Sequence, residues 1–95
     1  MNLADRPFAN PIVELREEFD DRAVLFNPDT ADAMGTNPVG VAVWKLLDGK
    51  RSIEEIGSMI HQRFEDTPDA AVEEIVGFIN RLAINGFVGL ELERK

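Results

Sequence analysis

The stretch TNPVGVAVWKLLDGKRSIEEI, residues 36–56, decides how the chain is organised. Asn37 is a favourable helix N-cap, and the proline after it suits the first helical position because its missing N–H would have no partner there. Gly49 is typical of a helix end. Ser52 is followed three residues later by Glu55, which is the pattern of a capping box at the start of a second helix. The stretch therefore predicts two short helices joined by a tight turn.

The charge of the chain argues against DNA binding, which two such helices often suggest. The 95 residues include 18 acidic and 10 basic side chains, for a formal net charge of −8. DNA binding takes much of its affinity from Lys and Arg, so an acidic chain disfavours nucleic acid and anionic lipid. No apolar run approaches the ~20 residues that span a bilayer. Because cysteine and a signal-peptide pattern are also missing, we expect a cytoplasmic protein with no nucleic-acid and no membrane partner.

Upstream of this stretch, the pattern predicts a meander of three antiparallel strands. Residues 12–19 alternate between apolar and charged side chains, with Glu17 as the departure, which is typical of a half-buried strand. Residues 22–27, RAVLFN, are rich in β-branched and aromatic side chains and form the second strand. The sequence NPDT places Pro28 at the second position of a type I turn. Residues 31–36, ADAMGT, then lead back as a third strand with small side chains.

Downstream, the spacing of apolar residues predicts two further amphipathic helices. The second helix of the chain has one apolar face, formed by Ile53, Ile56, Ile60 and Phe64. Thr67-Pro68 repeats the cap-and-proline signal and predicts the start of the third helix, which Asn85-Gly86 closes. The apolar stripe of this third helix is wider than one packing face requires. It consists of Val72, Ile75, Val76, Phe78, Ile79, Leu82 and Ala83.

These elements predict one domain of the α+β class between two short ends. We expect an irregular arm at residues 1–11, the domain at residues 12–92, and a charged tail at residues 93–95. A short C-terminal strand is expected within FVGLEL, at the end of the domain. Trp44 lies within the apolar cluster of the first helix and is therefore assigned to the core.

The sequence offers little that could support catalysis. His61 is the single histidine and there is no cysteine, so a zinc site with several such ligands cannot be built. We expect His61 on the solvent side of its helix. Ser52 stands at a helix start, as the modified serine of an acyl carrier does, but the acidic residue before that serine is replaced by Arg51, and we interpret Ser52 as an N-cap. No catalytic residue, metal or cofactor is predicted.

The stretch VLFNPDTADAMGTNPVGVAVWKLLDGKRSIEEIGSMIHQRF, residues 24–64, resembles the PqqD family, the pyrroloquinoline-quinone biosynthesis protein D group. The family pattern is a strand, an Asn/Pro turn and a short strand that ends near an Asn. A helix with Trp near LLDG follows, and then a Thr or Ser cap with an IEEI-type helix. The similarity continues through the third helix to Gly86-Phe87.

This resemblance implies a non-catalytic peptide-binding domain, the RiPP recognition element. Its fold is similar to a winged helix-turn-helix, with three strands packed on three helices. Members bind the leader of a ribosomally made precursor peptide and present it to a modifying enzyme, often a radical SAM protein. The leader is expected to add as a strand beside the third strand, against the third helix. The resemblance specifies no pathway and leaves open whether the domain forms a homodimer.

The predicted binding site combines backbone groups of the third strand with side chains of the third helix. An outer strand leaves N–H and C=O groups unpaired, and a peptide can extend such a sheet by β-augmentation. Arg81 either meets an acidic leader residue or pairs with Glu74 or Asp66 of its own chain. The predicted site residues are Ala33, Met34, Gly35, Phe78, Arg81, Leu82 and Asn85.

Two other functions stay open on the sequence alone. A winged-helix transcription regulator would share this topology, but it would need Lys and Arg along its recognition helix. The third helix instead carries Glu73, Glu74 and a single basic residue, Arg81. A small interaction subunit that binds a protein partner without any peptide substrate would have the same features as a peptide adaptor.

Overall fold

The computed structural model describes residues 2–19 and 22–90, which form a three-stranded sheet, a separate strand pair and three α-helices. The elements are β1 (Pro7–Ala9), β2 (Glu14–Phe19), β3 (Arg22–Asn27), β4 (Asp32–Thr36), α1 (Pro38–Lys45), α2 (Ile53–Arg63), a 3-10 helix (Pro68–Ala70), α3 (Val72–Ile84) and β5 (Val88–Leu90). The predicted α+β class and order of three strands before three helices are confirmed. The predicted tail at residues 93–95 lies outside the described residues.

The main sheet is the predicted antiparallel meander, with the strand order β2-β3-β4. The register pairs Leu25 of β3 with Met34 of β4. The departure from alternation at Glu17 coincides with a register shift in the β2–β3 pairing between Glu17 and Phe19. The turn between β3 and β4 is fixed by Asn27, which is buried and whose Oδ1 accepts the backbone N–H of Asp29 at 2.9 Å.

The segment before β2 differs from the irregular arm predicted for residues 1–11. Pro7–Ala9 form β1, which pairs antiparallel with β5, so the predicted C-terminal strand is confirmed and the fully irregular arm is wrong. The N–H of Ala9 also donates to the carbonyl of Leu47 at 2.9 Å. A three-residue strand is too short to show alternation, and its partner lies at the other end of the chain, which explains why the pattern missed it.

The helix starts follow the local signals, with one exception. Asn37 Oδ1 accepts the backbone N–H of Gly40 at 2.9 Å, so it caps α1 as predicted. Thr67-Pro68 does not open the third helix. Pro68–Ala70 form a separate 3-10 helix, and α3 begins at Val72 without a side-chain cap. The cap-and-proline pattern therefore correctly indicated a helical turn at this position, but the turn belongs to the 3-10 helix and not to α3.

The capping box of α2 is present in full. Ser52 Oγ accepts the N–H of Glu55 at 3.1 Å, and Glu55 Oε1 accepts the N–H of Ser52 at 2.8 Å. The next two N–H groups, of Ile53 and Glu54, donate at 2.9 and 3.0 Å to backbone carbonyls of the segment before β1. Together these contacts satisfy N–H groups that a helix start leaves without intrahelical partners. Ser52 therefore has the structural role that the sequence predicted.

The hydrophobic core lies between the sheet and the three helices. Trp44 is 8% exposed and belongs to this core, as predicted, whereas His61 is exposed on α2. Val72, the first residue of α3, is 42% exposed and so lies outside this core. The largest side chains with almost no exposed surface are Leu25, Val43, Ile53, Ile56, Ile60, Ile75, Ile79, Leu82 and Phe87.

Gly40 lets α1 approach both β4 and α3 closely. A Cβ atom built on Gly40 would collide with Thr36 Oγ1 and would lie 3.1 Å from Cζ of Phe78. A methyl group there would have to displace a β-branched side chain and an aromatic ring. Gly77 on α3 has much more space, since the closest atom to its Cβ would be Arg81 Nη1 at 3.8 Å.

The capping box predicts a pH-dependent contribution of Glu55 to stability. Backbone and hydroxyl hydrogen bonds from Ser52 lower the pKa of the Glu55 carboxyl in the folded chain. A group with a lowered folded pKa stabilises fully above its unfolded pKa of about 4.3 and loses this effect as pH falls through the folded value. Thermal unfolding should show that Glu55→Ala lowers Tm more at pH 7 than at pH 3. Glu54→Ala removes a neighbouring carboxylate but keeps the box, and an equal effect of both variants at both pH values would contradict this role.

The packing around Gly40 predicts opposite effects for two glycine substitutions. Gly40→Ala should destabilise the fold by about 1–3 kcal/mol, because the site is overpacked. Gly77→Ala should stabilise it by about 0.5–1 kcal/mol, because alanine is the better helix former and its methyl group fits. Urea denaturation measures both values. Equal stability of the two variants would show that α1 does not approach Phe78 as closely as described.

Candidate functional site

The edge of β4 is available for pairing in the part of the chain that the structure describes. There, β4 pairs with β3 and with no other strand. An edge strand presents every second pair of N–H and C=O groups to its surroundings. Ala33 and Gly35 are exposed, and a Cβ built on Gly35 would meet no atom within 4 Å. Another backbone could therefore come close to this edge without a steric obstacle.

A groove of about 410 Å³ lies beside this edge, between β4, the first turn of α1 and α3. Its floor is apolar and includes Val39, Val43 and Ile75, which are buried. Phe78 is half-buried and forms part of the wall on α3. The size falls within the range of binding clefts, and the lining combines apolar side chains with polar and charged ones. The lining residues are Met34, Gly35, Thr36, Asn37, Val39, Gly40, Val43, Asp69, Glu74, Ile75, Phe78 and Arg81.

Four of the seven predicted site residues come together in this groove. Met34 and Gly35 line it from β4, and Phe78 and Arg81 line it from α3. Met34 is also half-buried against the core, opposite Leu25 in the sheet. Residues of β4 and α3 therefore line one shared depression.

The other three predicted residues lie outside the groove lining. Ala33 is exposed on β4. Leu82 is entirely buried, because it faces the same core as Ile79 rather than the groove. Asn85 is exposed, and its Nδ2 donates to the backbone carbonyl of Arg81 at 2.8 Å, so it closes the end of α3. The helical spacing that placed Leu82 one turn after Phe78 could not separate the groove side of α3 from its core side.

The sequence reasoning missed the contribution of α1 and the 3-10 helix. Asn37 and Gly40 line the groove because α1 starts directly after β4 and its first turn must lie next to the strand end. This continuity was readable from the sequence. Asp69 gave no such signal. It enters the lining because Asn37 Nδ2 donates to Asp69 Oδ2 at 3.0 Å, which links the start of α1 to the 3-10 helix.

Arg81 is directed to the groove rather than into an ion pair. In residues 2–19 and 22–90 the salt bridges join Arg16 to Glu14, Lys45 to Glu17, and Arg51 to Asp48. The alternative that Arg81 pairs with Glu74 or Asp66 is therefore not realised. Its guanidinium carbon lies 6.0 Å from the ring centroid of Phe78, a distance at which a cation is attracted to the ring. The cation and the ring together form one wall.

The described part of the chain has no metal-binding cluster and no membrane-spanning helix. Residues 2–19 and 22–90 contain no cluster of three or more His, Cys, Asp or Glu side chains that could hold a metal ion. In the same ranges, no helix has the length and apolar character to cross a membrane. Asp48 has a lowered pKa because it accepts the backbone N–H of Lys50, but this contact fixes the turn after α1, away from the groove.

A second concavity of about 580 Å³ adjoins the same strand end. Its lining includes Glu18, Arg22 and Val24 of β2 and β3. It also shares the range Gly35–Asn37 with the first groove. The end of β4 can therefore be approached from two sides.

Two solved structures share this fold. One is described as TbiB1 in complex with the TbiA(beta) leader peptide, with a TM-score of 0.66, 24% sequence identity, and coverage of 93% of this chain and 99% of that one. The other is the heterocyclase TruD, with a TM-score of 0.60, 13% identity, and coverage of 96% of this chain but 12% of TruD. At these identities the likeness shows the fold, which occurs as a whole chain in one case and as a small part of an enzyme in the other. No curated protein matches the sequence.

The family comparison covers β3, β4, the three α-helices and the groove between them. The model of Coenzyme PQQ synthesis protein D (PqqD) matches residues 22–88. This range begins with β3 and ends in β5, so it includes both walls of the groove. The chain therefore belongs to the PqqD family.

Proposed function

We propose that the chain is a non-catalytic adaptor that binds the leader segment of a ribosomally made precursor peptide by β-strand addition. The observation that carries this proposal is the groove between the edge of β4 and α3. Backbone groups of the edge supply hydrogen bonds to an extended peptide, and the apolar floor receives every second side chain of it. Both requirements of β-augmentation thus meet at one place.

The comparisons support the same role. Membership of the PqqD family implies a RiPP recognition element, and the structure of TbiB1 was obtained with a leader peptide. The fold also occurs within TruD, a heterocyclase, as would suit a module that delivers a peptide to a modifying enzyme. For this chain we propose a separate modifying enzyme of the radical SAM class as the partner. Catalysis then belongs to that enzyme, and the adaptor raises the local concentration of its substrate.

The charges of the described helices do not favour the DNA-binding alternative. On α3, the exposed side chains include Glu73 and Glu74 near its start and a single cation, Arg81. A recognition helix needs cations to approach the phosphate backbone. Tight binding to duplex DNA in a gel-shift experiment at low salt would overturn the adaptor proposal.

A proline scan along β4 tests strand addition directly. In an edge strand, N–H groups of alternate residues point to the neighbouring strand and away from it, so Ala33 and Gly35 share one direction and Met34 has the other. Proline at an outward position should leave the fold intact and weaken peptide binding on the order of tenfold, because it removes one hydrogen bond and obstructs the edge. Proline at an inward position should destabilise the β3–β4 pair.

The scan is read by isothermal titration with the leader segment of a candidate precursor peptide from the same genome, together with circular dichroism. Ala33→Pro and Gly35→Pro should behave alike, and Met34→Pro should behave oppositely. If all three variants fold and bind the leader with the affinity of the unchanged chain, strand addition at β4 is wrong.

The groove wall is tested by a matched pair of phenylalanine substitutions. Phe78 and Phe64 are both half-buried and both pack against the core, but only Phe78 lines the groove. Both Phe→Ala variants should lower stability, since each removes apolar contacts. Phe78→Ala should in addition weaken leader binding about tenfold, as expected for an aromatic anchor, whereas Phe64→Ala should leave it nearly unchanged. Titrations at a temperature where both variants are folded provide the comparison, and equal affinities would exclude Phe78 from the site.

A further inference from the structure

The groove has one acidic end and one basic end. Asp69 lies at the acidic end, beside the last residue of β4, because Asn37 donates to it at 3.0 Å. Glu74 is in the first turn of α3, at the same end. Arg81 lies further along α3. Its guanidinium is held near the middle of the helix, since Nη1 would lie 3.8 Å from a Cβ on Gly77.

The charges at the two ends are not compensated by other described residues. In residues 2–19 and 22–90, neither Asp69 nor Glu74 forms a salt bridge, and neither does Arg81. The donor to Asp69 is the neutral amide of Asn37, which fixes the carboxylate without cancelling its charge. A charged residue of a bound peptide would therefore be attracted to the end of the groove that has the opposite charge.

The direction of β4 determines which part of a bound peptide would lie at the acidic end of the groove and which part would lie near Arg81. The acidic end adjoins Thr36, the last residue of β4, so the basic end lies toward the earlier residues of that strand. All strands of the main sheet are antiparallel to their neighbours. An added antiparallel strand would therefore begin at the acidic end and run toward Arg81.

The alternation of side chains along a strand sets the spacing. Residues that face α3 are an even number apart, and each step of two covers about 7 Å. Along α3, Glu74 lies about one helical turn before Gly77 and Phe78, at whose level the Arg81 guanidinium is held. Because helical side chains tilt toward the N-terminus of the helix, the Glu74 side chain lies further from this level than its backbone does. Two charged peptide residues that face the groove must therefore be two or four positions apart, with an apolar residue on the same face.

We infer that the groove selects leader peptides in which a basic residue precedes an acidic one by two or four positions, with an apolar residue on the same side of the strand. Asp69 and Glu74 bind the basic residue of the peptide, and Arg81 binds its acidic residue. The apolar side chain of the peptide enters the space beside Phe78. This inference rests on the proposed function and adds to it the sequence class of the ligand and its direction.

Selection from a random library of displayed linear peptides on the full chain tests the order. Peptides are retained only if binding is lost on Phe78→Ala, which ties them to the groove. The expected result is enrichment of a basic residue followed, two or four positions later, by an acidic one. Groove-dependent peptides with no charge order, the reverse order or an odd spacing would overturn the inference but leave the adaptor function intact. A selection that yields no groove-dependent peptide would count against both.

Charge-exchange variants then show which groove residue binds each charged residue of the peptide. A selected peptide whose acidic residue is changed to lysine should bind the unchanged chain about two- to fivefold more weakly, the range for an exposed pair, and should regain affinity on Arg81→Glu. Lys50→Glu is the matched control, because it makes the same charge change at an exposed turn outside the groove. If Lys50→Glu also restored the affinity for the lysine-substituted peptide, the effect would be one of net charge, and the assignment of Arg81 as the partner of the acidic residue would be wrong.

The acidic end has its own matched control on α3. Glu74→Gln should reduce the preference for a basic residue, whereas Glu73→Gln, one position earlier and exposed but outside the groove lining, should not. Asp69→Asn keeps an oxygen that can accept from Asn37 and removes only the charge. Unchanged preference in the double variant of Asp69 and Glu74 would remove these two residues from the recognition.

Discussion

The two hydrogen bonds of the Asn37 side chain determine the geometry on which the rest of the site depends. Its Oδ1 accepts from Gly40 and starts α1, while its Nδ2 donates to Asp69 and holds the 3-10 helix that leads into α3. Asn37 follows directly on β4. One exposed amide thus connects the strand edge with both helices that border the groove. An ionised aspartate could accept from Gly40 but has no donor for Asp69, so asparagine has a role here that aspartate could not fill.

Helix α1 has only 8 residues, but it contributes both to the hydrophobic core and to the groove. Val43 of α1 has no exposed surface and lies beneath the groove, so the core begins directly under the groove floor. Apolar side chains of a bound peptide would therefore continue the core rather than cover a separate patch. This continuity favours binding through burial of apolar area, while the charges at the ends add specificity more than affinity.

Sequence reasoning predicted most of the fold but only a third of the residues that line the groove, and the division has a physical basis. Caps and turns depend on neighbours in the chain, so Asn37 and Ser52 were correctly assigned from local pattern. Residues such as Asp69 and Leu82 depend on how whole elements pack. Leu82 faces the core although it is one turn from Phe78, and Asp69 reaches the groove through a contact across 32 positions of the chain. Periodicity carries no information about either.

The pairing of β1 with β5 has a consequence for how the protein is made. Within this domain Pro7–Ala9 are synthesised before the main sheet and the helices, but the register joins them to Val88–Leu90, which follow the third helix. Before that, β1 can pair with the segment after α1, through the hydrogen bonds from Ala9 to Leu47 and from Gly49 to Pro7. Such a long-range closure slows folding, because its entropy must be lost before the contact forms. The nascent chain would therefore hold an incomplete domain until β5 has been synthesised.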